Sequence, residues 1–332
     1  MTRASDILDD TEKQFSSFGP SKRAELARLL YEITRRDQIP ASLALADCRP
    51  GHLRDFAQVK AHLLKRRFPS LTNEDLAHIP PLTAVPASFE HRVSGRPWEN
   101  PFQQVFYEHT AAQSLLLKRL REQLPDIPFE EISSYKDYCR THPFSLTDYN
   151  RRRETLFLVQ ERYDFFLPCP CSAPSLPCGY HILNAGMGCG FDCEYCYLQG
   201  YVNAPGIVLP ANLDDILARF PEYYRPGMRL GTGQFTDSLF LDSLTGFSKT
   251  IISYFKKFPD VLFEFKTKSD DIAGILAEPV PGNILVSWSL NPQKIADAVE
   301  HGTPSLIRRL EAARQCAAAG YLTGFHFDPV VF

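Results

Sequence analysis

The sequence contains no uninterrupted apolar run of the eighteen or so residues needed to cross a lipid core, and residues 1–18 are polar and acidic rather than basic leading into apolar. No membrane partner or secretory leader is expected, and a cytoplasmic location follows by default. Nor is there an excess of charge of one sign: 36 Lys and Arg stand against 39 Asp and Glu, a formal net charge of −3. That balance excludes a global attraction to nucleic acid or anionic lipid, though not a local basic groove. With 332 residues, of which 44% are hydrophobic, the chain can bury one full core and a smaller second one.

Cysteine is plentiful and unevenly placed. Six of the nine cysteines fall between Cys169 and Cys196. A disulfide scaffold suits short secreted chains, so clustering in a chain of this length favours a metal or redox site. Cys316, among alanines in a helical pattern, and the isolated Cys48 and Cys139 are expected to be structural.

From Ala4 to about Glu90 the pattern is helical, clearest where Leu26, Leu29, Leu30 and Ile33 recur at i, i+3, i+4, i+7. A second, basic helix is expected over 51–67. The proline-rich stretch from Ile79 to Pro101 breaks regular structure, so the division expected is a helical region over 1–90 and a linker over 91–104. Over 105–179 short strands at Val105 to His109, Phe129 to Ile132 and Thr155 to Gln160 flank a helix from Ala111 to Gln123, giving a small α/β lead-in. Over 180–332 strand and helix alternate: strands at His181 to Ala185, Met228 to Gly233, Val261 to Lys266, Ile284 to Ser289 and Leu322 to Phe327, with helices at Leu213 to Phe220, Ser243 to Phe258, Asp271 to Leu276 and Ser305 to Ala319. Such alternation implies an α/β fold with a parallel sheet, barrel-like or open, whose chemistry sits at the carboxyl ends of the strands. The sequence stops at Phe332, just after the fifth such strand, which leads to the expectation of an early end to the chain.

The cysteine cluster follows the first of these strands. Cys189, Cys193 and Cys196 lie four and three positions apart on a glycine-containing segment. Three thiolates on a cubane of four irons leave one iron open to a chelating cofactor, whereas a structural zinc is closed by a fourth ligand. A zinc knuckle or three buried thiols is the blander reading. The spacing, with Tyr195 before the last cysteine, resembles the radical S-adenosylmethionine (SAM) signature C-x3-C-x-aromatic-C. That resemblance implies a [4Fe-4S] cluster whose open iron is chelated by SAM. It also implies a flavodoxin- or ferredoxin-type electron donor, and cleavage of SAM to a 5′-deoxyadenosyl radical. Tyr195, Tyr197 and Tyr201 are expected to pack around the cluster.

Further segments narrow the likeness: Cys178 to Asn184, Cys196 to Asn203, Phe235 to Leu239, Lys266 to Ser269, Ser287 to Pro292 and Gly324 to Pro329. Together they resemble spore photoproduct lyase and its relatives, from about Val105 to Phe332 but not over the helical amino terminus. The resemblance implies a partial parallel (β/α) barrel and a reaction in which hydrogen abstraction reverts a thymine–thymine adduct in DNA to two thymines. By position, Thr236, Lys268 and Ser289 would face SAM. Their chemistry agrees, since a hydroxyl or an ammonium can bind its carboxylate or ribose. The alternative for Lys268 is a solvated lysine and for Ser289 a capping hydroxyl.

One departure stands out. The lyase uses an additional cysteine after the second barrel strand to return hydrogen to the product radical, and the matching stretch here, Gly231 to Asp237, has none. Three functions therefore compete: a lyase-like radical SAM enzyme of unknown substrate, a true DNA repair lyase, and a non-catalytic metal protein that binds nucleic acid. Secondary candidates are Cys169, Cys171 and Cys178 as ligands of an auxiliary metal. Asp237, as a SAM contact or a helix cap, joins them. So do His326 and Asp328, which share one face of the last strand and would line a substrate pocket if that face points inward.

Overall fold

The computed structural model describes residues 4–46, 48, 55–77, 79, 101–142, 151–162, 165–170, 179–201 and 204–328. They belong to two compact units. One comprises Met1–Arg92, His142–Arg152 and Glu194–Pro205; the other comprises Val93–Thr141, Arg153–Cys193 and Gly206–Phe332. The proline-rich stretch at 80–100 lies outside the described residues.

The first unit is helical: α1 (Ala4–Gln14), α2 (Pro20–Asp37), α3 (Ala41–Ala46), α4 (Phe56–Arg67) and α5 (Asn73–Ala77). Helix α2 starts on a proline, whose fixed φ suits the first turn. It ends at Gln38, left-handed at φ 54°, whose N–H closes on Thr34. Leu26, Leu29, Leu30 and Ile33 are fully buried against Ile7, Val59 and Leu63, as their spacing requires. Basic residues here have acidic partners: Arg28 and Arg67 both reach Glu32 at 2.7 Å, and Lys60 reaches Glu25 at 2.7 Å.

The second unit contains two main sheets. Its strands are β1 (Gln104–Glu108), β2 (Phe129–Ile132), β3 (Thr155–Val159), β4 (Phe166–Pro168), β5 (Tyr180–Leu183), β6 (Asp192–Cys193), β7 (Ile207–Pro210), β8 (Arg229–Gly231), β9 (Leu262–Thr267), β10 (Ile284–Ser289), β11 (Glu300–His301) and β12 (Leu322–His326). One sheet runs β2-β1-β3-β7, all parallel. The other runs β12-β10-β9-β8-β5-β4, parallel except for β4, and β6 with β11 forms a two-residue antiparallel ribbon.

The five strands expected from 180 onward are thus neighbours in chain order. The result is a mixed α/β fold with parallel sheets; among the described strands the larger ladder is open, with β12 and β4 at its edges. Strand β7 is a departure from the sequence reading. All four of its residues are buried, and so short an apolar run carries no periodicity. It draws the lead-in into a sheet of its own and sends the first crossover through it.

One face of the larger sheet is apolar. Leu230, Phe263, Phe265, Ile284, Val286 and Trp288 pack with Ile216, Ile252, Phe255, Ala312 and Cys316 from helices Leu213–Ala218, Phe247–Phe255 and Leu306–Ala318. Each fully buried side chain of this size contributes roughly 1.5–3 kcal/mol. The helix expected over 243–258 breaks at Gly246, which adopts φ +67°. There Asp242 accepts the Ser248 N–H at 2.8 Å and its hydroxyl at 2.5 Å, restarting the helix. Because side chains alternate along a strand, the opposite face carries Glu264, Lys266, Lys268, Ser287 and Ser289. That polar face leads to the strand ends.

Candidate functional site

The loop that leaves the carboxyl end of β5 is fastened at two points before its first cysteine. Met187 and Val208 exchange backbone hydrogen bonds at 2.9 and 2.8 Å, and the Gly188 N–H donates to the Phe235 carbonyl at 2.8 Å. Gly188 holds φ +89°, a conformation that favours glycine, and turns the chain into Cys189. Beyond it, the buried Asp192 pairs with Arg153, and Cys193, opposite Glu300 across the β6–β11 ribbon, is 5% exposed. Cys189 is half-buried, and Cys196 follows in the segment that belongs to the helical unit. None of the three is in a disulfide. Among the described residues no three His, Cys, Asp or Glu side chains form a group that could hold a metal ion. Tyr197, expected to pack, is 54% exposed.

The three SAM candidates lie at the ends of neighbouring strands. Thr236 is buried in the loop after β8, Lys268 follows β9, and Ser289 is the last residue of β10, buried, in register with His326. Asp237 organises two of these loops. Its carboxylate accepts the Leu239 N–H at 2.9 Å, the Thr267 hydroxyl at 2.6 Å and the Lys268 N–H at 2.7 Å. It clasps the loop after β8 to the end of β9. Burial pushes the Asp237 carboxyl up, against the pull of these hydrogen bonds. For Lys268, burial acts against the charge, but the negative charges of Cys193, Glu300 and Asp237 outweigh it and hold the ammonium above its usual range.

His326 and Asp328 part company. The His326 Nε2 lies 2.8 Å from Glu264 Oε1, so it is a hydrogen-bonded, half-buried histidine, whereas Asp328 is largely exposed, with Lys266 at 3.8 Å. Glu264, which sequence reasoning missed, is the hub of the polar face: it also accepts from Tyr180 at 2.9 Å and from Ser287. Burial would raise its pKa, but the hydrogen bonds from His326, Ser287 and Tyr180 and the charge of His326 bring it down to about 2. A lone acid between Phe263 and Phe265 on an expected strand was the available signal.

A cavity of about 330 Å³ opens beside the cysteine loop. It is walled largely by apolar side chains, among them Met187, Val208, Leu167 and Phe235, with Asn184 and Glu161 as its polar groups. Phe235 belongs to the cysteine-free stretch noted in the sequence. Cys169 is half-buried and its N–H donates to Tyr180; Cys171 and Cys178 lie outside the described residues. Cys48 and Cys316 are buried, and burial pushes the Cys316 thiol up to about 12. No helix among the described residues is long and apolar enough to cross a membrane.

Parallel strands in chain order, with a cysteine loop after the first and polar groups at the ends of those that follow, define an α/β protein of the kind that does its chemistry at the carboxyl edge of its sheet. The family model for spore photoproduct lyase matches residues 103–332, and the chain belongs to that family. Spore photoproduct lyase of Clostridium acetobutylicum is 34% identical over 148 residues, 43% of this chain and 44% of that protein. That of Bacillus subtilis strain 168 is 27% identical over 244 residues, 70% and 69% of the two chains. The match to the Clostridium protein therefore spans less than half of its length. Among solved structures, a substituted spore photoproduct lyase with bound AdoMet and dinucleoside spore photoproduct superimposes with a TM-score of 0.62 at 28% identity, over 71% of this chain and 69% of that one. A complex of the lyase with the dinucleoside photoproduct gives 0.62 at 27% identity over the same shares.

Proposed function

We propose that the chain is a radical SAM enzyme of the lyase type. In this reading Cys189, Cys193 and Cys196 hold a [4Fe-4S] cluster, and Thr236, Lys268 and Ser289 face SAM at the mouth of a partial parallel (β/α) barrel made by β5, β8, β9, β10 and β12. The observation that carries it is convergence: the cysteine loop leaves β5, and the SAM candidates end or follow β8, β9 and β10, its successive neighbours in the sheet.

The donor set suits the cluster in kind. Iron–sulfur ligands are thiolates, and the Lys268 ammonium is a positive charge coupled to Cys193. Phe191, packed with Phe240 at a ring separation of 6.0 Å, backs the loop with apolar surface that excludes water. When bound, the cluster and SAM supply a one-electron reduction and a 5′-deoxyadenosyl radical that takes a hydrogen atom from the substrate. The chain's own residues bind and orient. The Lys268 ammonium offers a point charge to the SAM carboxylate, the Thr236 and Ser289 hydroxyls offer hydrogen bonds, and Asp237 fixes the Lys268 backbone. A flavodoxin- or ferredoxin-type donor supplies the electron.

A DNA photoproduct is the substrate that the names of the relatives and their bound dinucleoside support. Phe235 favours a second reading. It walls the cavity and belongs to Gly231 to Asp237, the stretch that by resemblance matches the thiol-bearing part of the family's lyase, and a phenyl ring has no weak bond to hydrogen to offer. A related substrate, whose product radical is not quenched by a cysteine there, fits that wall. A non-catalytic metal protein is not favoured by relatives that are named as lyases.

Anaerobic reconstitution is the test. About four irons per chain, lost together in the triple variant Cys189→Ala/Cys193→Ala/Cys196→Ala, with 5′-deoxyadenosine formed on reduction, is the expected result. Stoichiometric zinc and no SAM cleavage would overturn it. Restored thymines from a synthetic thymine adduct would decide for the first substrate, and their absence for the second.

A further inference from the structure

We infer that the buried ion pair Glu300–Arg309 is a positioning device that sets β6, and with it Cys193, against the carboxyl end of β10. A two-residue ribbon such as β6–β11 has too few ladder hydrogen bonds to hold itself in place. Its position must come from what grips β11, and the Glu300 side chain is the part of β11 that is gripped. One carboxylate oxygen accepts from Asn291 Nδ2 at 2.9 Å; the other meets Arg309 Nη2 at 2.7 Å. The Glu300 carbonyl accepts the Thr303 hydroxyl at 2.7 Å.

Arg309 completes the frame. Its Nη1 donates to the Ser289 carbonyl at 3.1 Å, its Nε to the Pro304 carbonyl at 2.9 Å and its Nη2 to Thr303 Oγ1 at 2.6 Å. One planar fork therefore touches the last residue of β10, the turn after β11 and the carboxylate on β11 itself. Cys193 lies opposite Glu300 across the ribbon, and the Lys268 charge is coupled to both. The other residue of β6, Asp192, is gripped separately by Arg153.

Both members of the pair are wholly unexposed. Burying two charges costs several kcal/mol per ion before their attraction is counted, and apolar residues of similar volume often fill such a place at no loss of stability. Apolar residues cannot fix direction. Three directed hydrogen bonds from one guanidinium can, and one of them reaches the proposed site residue Ser289 while the ion pair holds Glu300, which stands opposite Cys193.

The helix that carries Arg309 also carries Cys316, buried in the core, which serves as an internal control. In the full chain before reconstitution, iodoacetamide labelling of each cysteine is followed by peptide mass spectrometry in wild type and in Glu300→Leu/Arg309→Met. The expected result is labelling of Cys193 faster by about tenfold with Cys316 unchanged, and after reconstitution a loss of more than about half of the retained iron. Equal acceleration at both cysteines would reduce the pair to a core support and overturn the inference, as would an unchanged rate at Cys193. Should the double variant fail to fold, Arg309→Lys keeps the charge but not the fork, and is expected to raise Cys193 labelling about threefold, again with Cys316 unchanged. No change, or a parallel change at Cys316, would likewise overturn it. Thiol labelling does not depend on the cluster, so failure here is separable from failure of the cluster reading, on which the iron measurement rests.

Discussion

Tyr180 donates its phenolic hydrogen to Glu264 across 2.9 Å, joining β5 to β9 over the strand between them. Gly231 on that strand makes the contact possible, because a Cβ there would overlap the phenolic oxygen. Burial and the neighbouring carboxylate both push the Tyr180 phenol up, so it stays protonated and donates at any ordinary pH. This bond anchors a polar layer that runs across the sheet to His326.

That layer gives the protein an acid-sensitive limb. With the carboxyl of Glu264 held at about 2 in the fold against 4.5 when free, its contribution is fully present above pH 4.5 and is lost as pH falls through 2. The amount is about 3 kcal/mol for a group this well covered. Urea midpoints measured between pH 6 and 2 are expected to fall more steeply for wild type than for Glu264→Gln. Parallel curves would deny Glu264 the role.

Asp237 holds three donors on one carboxylate. Asp237→Ala leaves the Lys268 N–H and the Thr267 hydroxyl without that acceptor. A loss of about 2–4 kcal/mol is expected in denaturant unfolding, while Asp237→Asn, which keeps one acceptor oxygen, loses less. Equal losses in the two variants would argue against the clasp.

Lys268 presents charge at a strand end. Lys268→Ala is expected to weaken SAM binding by about tenfold or more in calorimetry, with thermal stability little changed. Undiminished affinity would remove it from the site.

Phe235 is the residue of the cysteine-free stretch that walls the cavity. Phe235→Cys places a thiol in the cavity wall, and on a synthetic thymine adduct the yield of thymine per SAM cleaved is expected to rise above that of wild type. An unaltered yield would mean that the thiol alone does not set the outcome.

Much of this protein was legible as sequence because the signals are local. The heptad-like leucines of α2 fix a buried stripe wherever that helix lies, and the alternation of strand and helix after residue 180 fixes parallel neighbours, because a crossover helix returns the chain in the same direction. The spacing of Cys189, Cys193 and Cys196 names a type of chemistry without reference to the fold. What depended on tertiary structure involves partners far apart in the chain. Strand β7 is too short to show a period and is defined only by pairing with β3. Asp237 reads as a helix cap until Thr267 and Lys268 are brought against it. The partner of His326, Glu264, stands 62 positions away in the chain. Sequence determined which groups are present and in what local spacing; only packing, which decides what each buried polar atom must bond to, determined that Glu300 pairs with Arg309 and stands opposite Cys193.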